Sequence, residues 1–424
     1  MFAWYDFGDA GKFDKNLNEV SSVLKCHSKT FVRATFDKIG TTFAPVNLHF
    51  DRPIKSSEKG IFMVKKHRQL FENLFVLELA NNHWGQVERG LKIIDEFANI
   101  VRFNSVKAAL KLQFRDVDNF IHPDFVDNEK LRYVDKTRRT KLGWDDFGRM
   151  IKAVRQSGMK TMATPFDEFS VQKCKEFNLD YVKIASSDIK DWFLIEEIAK
   201  LDIPVIASSG GSSLKDLDDL VAFFAKRSIP FALNHCVSLY PSEDNELELN
   251  QIDFLKDRYP DIVIGFSSHE YNSWDASMLI AYGKGARTFE RHIDIDYQNV
   301  PVSKYCSLPE QVDAWFKAFK KAEEMCGGAG SQKRIVSRKE TEYLEDLVRG
   351  VYAKSDLEAG KVLTQDDVFL AIPLQKGQIS CREFRTGEVM ETSVKKGQKI
   401  TIRDIRTSYG KNGEFVKYIN RRGV

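Results

Sequence analysis

Short apolar runs recur between Phe75 and His292, and nearly every one ends in a polar cluster. In chain order they close in FVLELANNHWG from Phe75, AALKLQF to Phe114, MATPFDE to Glu168 and YVKIASSD to Asp188, then in PVIASSGG to Gly211, FALNHCVS to Ser238, IVIGFSSHE to Glu270 and RTFERH to His292. Between them lie amphipathic stretches of helical period, among them VERGLKIIDEFANIV, WDDFGRMIKAVRQSG and LKDLDDLVAFFAKR. Strand-like runs alternating with helices predict right-handed βαβ crossovers, and eight of them predict a closed parallel barrel. Functional residues of such a barrel gather at the C-terminal ends of its strands, so the polar clusters would share one mouth.

Outside this alternation the pattern changes. Residues 1–60 mix aromatics with Lys, Asp and Gly, and RATFDKIGTTFAPVNLHF reads as strand-like pieces around Gly40 and Pro45. With no cluster of ligand-type residues, that stretch reads as an N-terminal extension with an accessory or packing part. The barrel is expected over 61–326. Its insert from Arg115 to about Gly143, rich in Asp, Arg and Lys, is long for a loop between strand and helix and reads as a lid. The Gly-rich GGAGSQKR opens a linker over 327–342. Beyond it, 343–424 holds the short β-like pieces RGVYAKS, AIPLQ, EVMETSV and KITIRDI, with two similar elements, DLEAGKVLTQDDV and VKKGQKITIRDI. That pattern predicts a small β-rich domain.

Composition adds mainly exclusions. A chain of 424 residues exceeds the roughly 250 that such a barrel takes, so more than one domain is expected. The net charge of +3 comes from 64 basic and 61 acidic residues, which implies no nucleic-acid footprint. Cys26, Cys174, Cys236, Cys306, Cys326 and Cys381 are scattered without a CxxC pair, as expected of reduced thiols in the cytoplasm. The opening MFAWYDFGDAGKF is interrupted by charges and glycines, and no apolar run reaches about 18 residues, so neither export nor a membrane is expected.

The strand ends carry the candidate chemistry. His269 and His292 end consecutive strands, where two imidazoles could hold a divalent metal with positions left for water or substrate; either ring could equally serve as a hydrogen-bonded structural residue. Lys111 and Lys183 end two other strands, and Thr164, Ser186, Ser208, Ser209 and Ser267 add hydroxyls, a set that suits a phosphate. Lys183 lies in an otherwise apolar strand and needs a partner. Glu78 ends the first strand as a candidate base, water-orienting group or salt-bridge partner. Asp188 could contact substrate or cap the helix that begins at Ile189 or Trp192. His83, His235 and Cys236 fall near the mouth, with His235 in a supporting or sugar-binding place, and no spacing points to a covalent mechanism.

In this order and at these intervals, ELANNHWG, KLQF, ATPFDE, KIASSD, SSGG, NHCVSLYP, GFSSHE and ERH resemble the sialic acid (N-acetylneuraminate) synthase family. That family condenses phosphoenolpyruvate with an N-acylated hexose to make nonulosonic acids, releasing phosphate by C–O cleavage. The resemblance covers roughly residues 70–424, and RGVYAKSDLEAGKVLTQDDV looks like the family's antifreeze-like (SAF) domain. It implies an enzyme built as a (β/α)8 TIM barrel followed by that domain. His269 and His292 would bind Mn2+, or Mg2+ or Co2+ in its place. Lys111, Thr164, Lys183, Ser186, Ser208 and Ser267 would bind phosphoenolpyruvate with Gln113 beside them, and Glu78 and Asp188 would face the sugar or the attacking water. Arg349 matches an arginine that reaches the sugar in a partner subunit, which implies a domain-exchanged homodimer.

The chain departs from the family pattern at Ala80, Trp84, Asp188, Ser238, Ser268 and Ser303, positions that the resemblance groups around the sugar. The acceptor is therefore open: N-acetylmannosamine and a 2,4-diamino-trideoxy hexose both fit. Two further readings stay beside this one. A synthase of a 3-deoxy-ulosonic acid phosphate would need a basic pocket for the acceptor's phosphate, and no Arg cluster marks the strand ends. A noncatalytic sugar-binding member of the family is the other.

Overall fold

In this computed structural model residues 67–424 are described, apart from 329 and 331, so the reading of 1–60 lies outside the described residues. Strands β1 (Leu74–Ala80), β2 (Lys107–Phe114), β3 (Lys160–Pro165), β4 (Tyr181–Ile184), β5 (Val205–Ser208), β6 (Phe231–Cys236), β7 (Val263–Ser268) and β8 (Thr288–His292) form a closed barrel in chain order. Each pairs in parallel with the next, and β1 closes on β8 through the register Leu74 to Thr288 and Glu78 to His292. This is the (β/α)8 architecture that the alternation predicts.

Strand parity then sorts the side chains. Because successive residues face opposite sides of a strand, Leu74, Val76, Ala109, Met162, Tyr181, Ile206, Ala232 and Val263 turn inward and fill the floor of the barrel. Their neighbours Phe75, Leu77, Leu110, Val182, Ala207, Leu233, Ile264 and Phe289 turn outward under the helices. Those helices include α1 (Val87–Asn104), α2 (Arg132–Arg139), α3 (Trp144–Gln156), α4 (Glu168–Glu176), α5 (Trp192–Ala199), α6 (Leu214–Lys226), α7 (Asn250–Arg258), α8 (Trp274–Lys284) and α9 (Pro309–Cys326). Helix α9 covers the closing seam: Trp315, Phe316 and Phe319 set their rings 4.8 to 5.0 Å from that of Phe75, near edge-on.

Helix starts are fixed locally. Asp167 accepts from the Ser170 amide at the start of α4, Ser213 and Asp216 form a reciprocal box at α6, and Asp191 accepts from the Leu194 amide at α5. The expected cap at α5 is thus Asp191, three residues beyond Asp188, which instead lies in a 3-10 turn over Ser186–Asp188. In the insert, a narrow cleft beside α2 is bordered by Gln113, Arg115, Thr137 and Lys141.

Past α9, helix α10 (Arg338–Glu345) leads to β9 (Gly350–Ala353), which pairs with β10 (Val368–Ala371), and β11 (Val389–Met390) pairs with β12 (Ile405–Arg406). Val351, Leu363, Ile379, Ile400 and Ile419 belong to a buried cluster separate from that of the barrel, Ile419 coming from α11 (Gly413–Arg421). The two similar sequence elements repeat one device: Thr364 bonds Asp367, and Thr401 bonds Asp404, each through backbone N–H and hydroxyl. Among the described residues, no helix is long and apolar enough to cross a membrane, and Cys174, Cys236, Cys306, Cys326 and Cys381 are free thiols.

Just above the floor, Thr288 donates from its hydroxyl to the Asn234 side-chain oxygen, across the position of Gly265 on β7. A Cβ on Gly265 would meet Thr288 Oγ1, Asn234 Oδ1 and the Thr288 carbonyl. Gly265→Ala is therefore expected to lower stability by about 1–3 kcal/mol through overpacking, read as a lower urea midpoint at unchanged m-value.

Candidate active site

The same parity that places Val76 and Ala109 on the floor places Glu78 and Lys111 two residues further along, facing inward at the C-terminal ends of their strands. Thr164, Lys183, Ser208, Cys236, Ser267 and Glu290 share that inward parity on β3 to β8, Cys236 and Ser267 four residues beyond the floor. Two ammonium groups in this dry layer need an anion. Glu290 supplies it: Lys111 Nζ lies 2.8 Å from Oε1 and Lys183 Nζ 2.5 Å from Oε2, and Lys111 also pairs with Glu78. Burial pushes the Lys111 ammonium down to about 8, whereas the two lysines hold the Glu290 carboxyl well below the usual carboxylate range against the opposing effect of its own burial. Sequence reading missed Glu290, although its place two residues before His292 puts it on the same face.

A ring of hydroxyls surrounds the lysines. Thr164 Oγ1 and Ser208 Oγ are buried without a hydrogen-bond partner among the described residues, and Ser267 stands beside Glu290 in the β7 to β8 register. Ser186 Oγ lies 3.7 Å from Cys236 Sγ, which is 3.7 Å from Ser238 Oγ, and Ser209 Oγ accepts from the Cys236 amide at 3.2 Å. Gly210 lets this loop close in, since a Cβ there would come within 2.8 Å of Ser186 Oγ and would also strike Ser238. Buried hydroxyls left unpaired beside two ammonium groups are what a phosphate-like anion would satisfy.

His269 and His292 stand together on the far arc, with ring centroids 5.4 Å apart. His269 Nδ1 donates to the Val237 carbonyl at 2.8 Å, which leaves Nε2 as the ring's lone-pair donor. His292 Nδ1 is buried without a partner among the described residues. Burial lowers both rings, His269 to about 4 and His292 well below its ordinary value, helped there by His269 and Lys111. Neutral imidazoles with a free nitrogen are the form that ligates metals, so the pair fits a divalent ion whose other positions go to water or substrate. No further His, Cys, Asp or Glu completes a cluster of three among the described residues. Tyr240 and Tyr305 wall the pair, the Tyr240 ring centroid 4.0 Å from that of His269 and the Tyr305 ring 5.1 Å from His292.

The β2 to β4 arc differs. Gln113 Nε2 donates to Glu78 Oε1 at 3.1 Å, and Arg115 Nη1 donates to Gln113 Oε1 at 3.0 Å while its guanidinium stacks 3.6 Å over the Phe166 ring. Asp188 lies within electrostatic reach of Arg115, and burial raises its carboxyl to about 6. Arg115 was also missed, because it falls one residue past the end of its strand and inside the insert.

Three expected residues stand elsewhere. His235 has outward parity, bonding the Leu247 carbonyl at 2.8 Å and stacking on Phe266, so it does not join the mouth. His83 is buried edge-on to Phe147 at 6.1 Å, accepting from the Gly85 amide. Arg349 is exposed just before β9. Of the family departures, Ser268 also faces outward, where its hydroxyl accepts from Arg291 at 3.0 Å beside the buried Arg291–Glu270 pair. It does not border a sugar site. Ala80 has φ of 52°, a left-handed backbone natural to Gly, at the point where the β1 to β2 register slips.

The chain has counterparts among known proteins. A solved structure from Chromobacterium violaceum, a spore coat polysaccharide biosynthesis protein E, is 32% identical with a TM-score of 0.75 and covers 79% of this chain and 100% of its own. The N-acetylneuraminic acid (sialic acid) synthetase of Leptospira borgpetersenii is 26% identical with a TM-score of 0.57, covering 64% and 91% respectively. The N-acetylneuraminate-9-phosphate synthase of Drosophila melanogaster is 25% identical over 249 residues, which span 57% of this chain and 66% of that protein. The model of the NeuB family matches residues 98–331, more than half of the sequence, and the chain belongs to that family.

Proposed function

We propose that this protein is a nonulosonic acid synthase that joins phosphoenolpyruvate to the open-chain aldehyde of an N-acylated hexose, with phosphate leaving by C–O cleavage. The observation that carries the reading is one mouth holding two buried ammonium groups on a shared carboxylate, opposite two neutral histidines. Lys111 and Lys183, with the unpaired hydroxyls of Thr164 and Ser208, would take the phosphate and the charge that grows on it as it departs. A divalent ion on His269 and His292, Mn2+ by preference and Mg2+ or Co2+ in its place, would supply Lewis acidity to the aldehyde oxygen. C3 of the enol phosphate forms the new bond to the aldehyde carbon, whose oxygen takes a proton. Water then adds at C2, and the bridging oxygen leaves with the phosphate. Glu78, bonded by Gln113 and Lys111, and Asp188 would orient that water and accept its proton.

The proposal extends to assembly. The segment 343–424, with its own buried cluster, is read as an antifreeze-like domain, and exposed Arg349 as a group that serves a partner's mouth in a domain-exchanged homodimer. The free thiols fit work in the cytoplasm.

Three outcomes test the reading. With Mn2+ and N-acylated hexoses the protein should release phosphate from phosphoenolpyruvate and yield the condensed acid by mass spectrometry. His269→Ala should cut metal-dependent turnover by about 100-fold or more with an unchanged circular dichroism spectrum, and full activity of the chelator-treated variant would overturn the assignment. Because Asp188 is charged above about 6 and Lys111 loses its proton above about 8, kcat/KM should be bell-shaped with limbs near those values. Asp188→Asn should remove the acid limb and leave the alkaline one.

A further inference from the structure

Glu78 is fully buried at the end of β1, so both of its oxygens need donors. One oxygen pairs with Lys111, and the other accepts from Gln113 Nε2 at 3.1 Å. These two supports are unequal. Lys111 also bonds Glu290 at 2.8 Å, and under the synthase reading it turns toward the phosphate when phosphoenolpyruvate binds. Gln113 is then the donor that stays with Glu78.

A glutamine amide is a weak anchor when nothing fixes which end is which, because a half-turn about its last bond exchanges oxygen for nitrogen. Arg115 removes that freedom by donating from Nη1 to Gln113 Oε1 at 3.0 Å. A guanidinium only donates and the carboxylate paired with Lys111 only accepts, so the amide between them has to turn its oxygen to Arg115 and its NH2 to Glu78. Arg115 is itself held from outside the barrel. Its Cζ lies 3.6 Å from the Phe166 ring centroid and 5.7 Å from that of Phe120 in the insert. The backbone around it is tied as well: the Phe166 N–H donates to the Phe114 carbonyl at 3.1 Å, and the Asp116 N–H donates to Asp167 at 2.8 Å. Burial pushes the guanidinium down to about 10, and Asp188 and Asp167 within electrostatic reach offset part of that cost. Ring packing uses the face of the guanidinium, whereas the bond to Gln113 uses its edge.

We infer that Arg115 is a positioning residue for the condensation: by fixing the Gln113 amide it keeps Glu78 in place for the attacking water while Lys111 turns to the phosphate. The inference rests on the synthase reading above. Lys111, Gln113 and Arg115 are spaced by two, and the alternation of β2 carries the first two to the same side of the strand. Through Phe120 the same guanidinium ties the first turn of the insert to the carboxylate of β1.

Steady-state kinetics on the full chain with Mn2+, phosphoenolpyruvate and N-acetylmannosamine, or the most productive of the other N-acylated hexoses, test this. Arg115→Met, which keeps an apolar stem over Phe166, should lower kcat by about tenfold or more, the scale of one charge-assisted hydrogen bond. KM for phosphoenolpyruvate should stay within about twofold, because the loss falls on the step after binding. Arg115→Lys should recover part of the lost kcat. Gln113→Met should fall to a similar level, and in that background Arg115→Met should cost less than about twofold more, since a residue that acts through another loses its effect once the other is gone. Phe166→Leu, which loosens the platform and spares the edge contact, should show the same pattern at about threefold. Additive losses in the double variant, a wild-type kcat for Arg115→Met, or a loss that only tracks the folded fraction by circular dichroism overturns the inference and leaves the synthase reading intact. No product from any of the N-acylated hexoses overturns the synthase reading itself.

Discussion

Placing two ammonium groups inside a closed barrel is the constraint on which the rest of the site depends. An isolated buried cation is unstable by several kcal/mol, and here one carboxylate, Glu290, bridges both Lys111 and Lys183 while Glu78 balances the second charge. Two cations and two anions make the layer neutral without a ligand. Thr164 and Ser208, inward on β3 and β5, carry hydroxyls with no partner among the described residues. An arriving anion can therefore shift the lysines' bonding from carboxylate to ligand without unfolding what surrounds them. The histidine pair follows the complementary rule, since burial keeps both rings uncharged and their nitrogens available.

Much of this was legible in the chain. Period-2 runs separated by period-3.6 stretches led to the closed barrel, and the strand ends led to Lys111, Lys183, His269 and His292, which the fold does bring to one mouth. What escaped has physical reasons. Glu290 sat among charged neighbours in RTFERH, and only counting parity back from His292 separates it from outward Arg291. His235 failed by the same one-residue step, which turns a side chain from the mouth to the outer layer. The cap at α5 fell to Asp191 because a 3-10 turn intervenes after β4. Arg115 escaped because it falls just past the end of β2, inside the insert.

The departures from the family pattern divide along the same lines. Ser268 belongs to an outward network in which Arg291 bonds Ser268, Glu270 and Ser307, so its effect is on how the β7 and β8 ends are held together. Ala80 costs backbone strain at a bulge and leaves the inward residues of β1 in place. Asp188 and Ser238, by contrast, border the open rim where the acceptor would lie.

The closing seam has one more property. Buried Arg89 at the start of α1 bonds the carbonyls of Asn82, Tyr297 and Ile295 and the carboxylate of Asp294, and Asn82 bonds the Ile293 carbonyl. Every one of these distal partners lies more than 200 positions downstream of the residue that needs it. During synthesis the first strand and helix thus emerge before the segment that supplies the distal partners of Arg89 and Asn82. The seam can close only once the segment around Tyr297 has left the ribosome, which makes ring closure a late event.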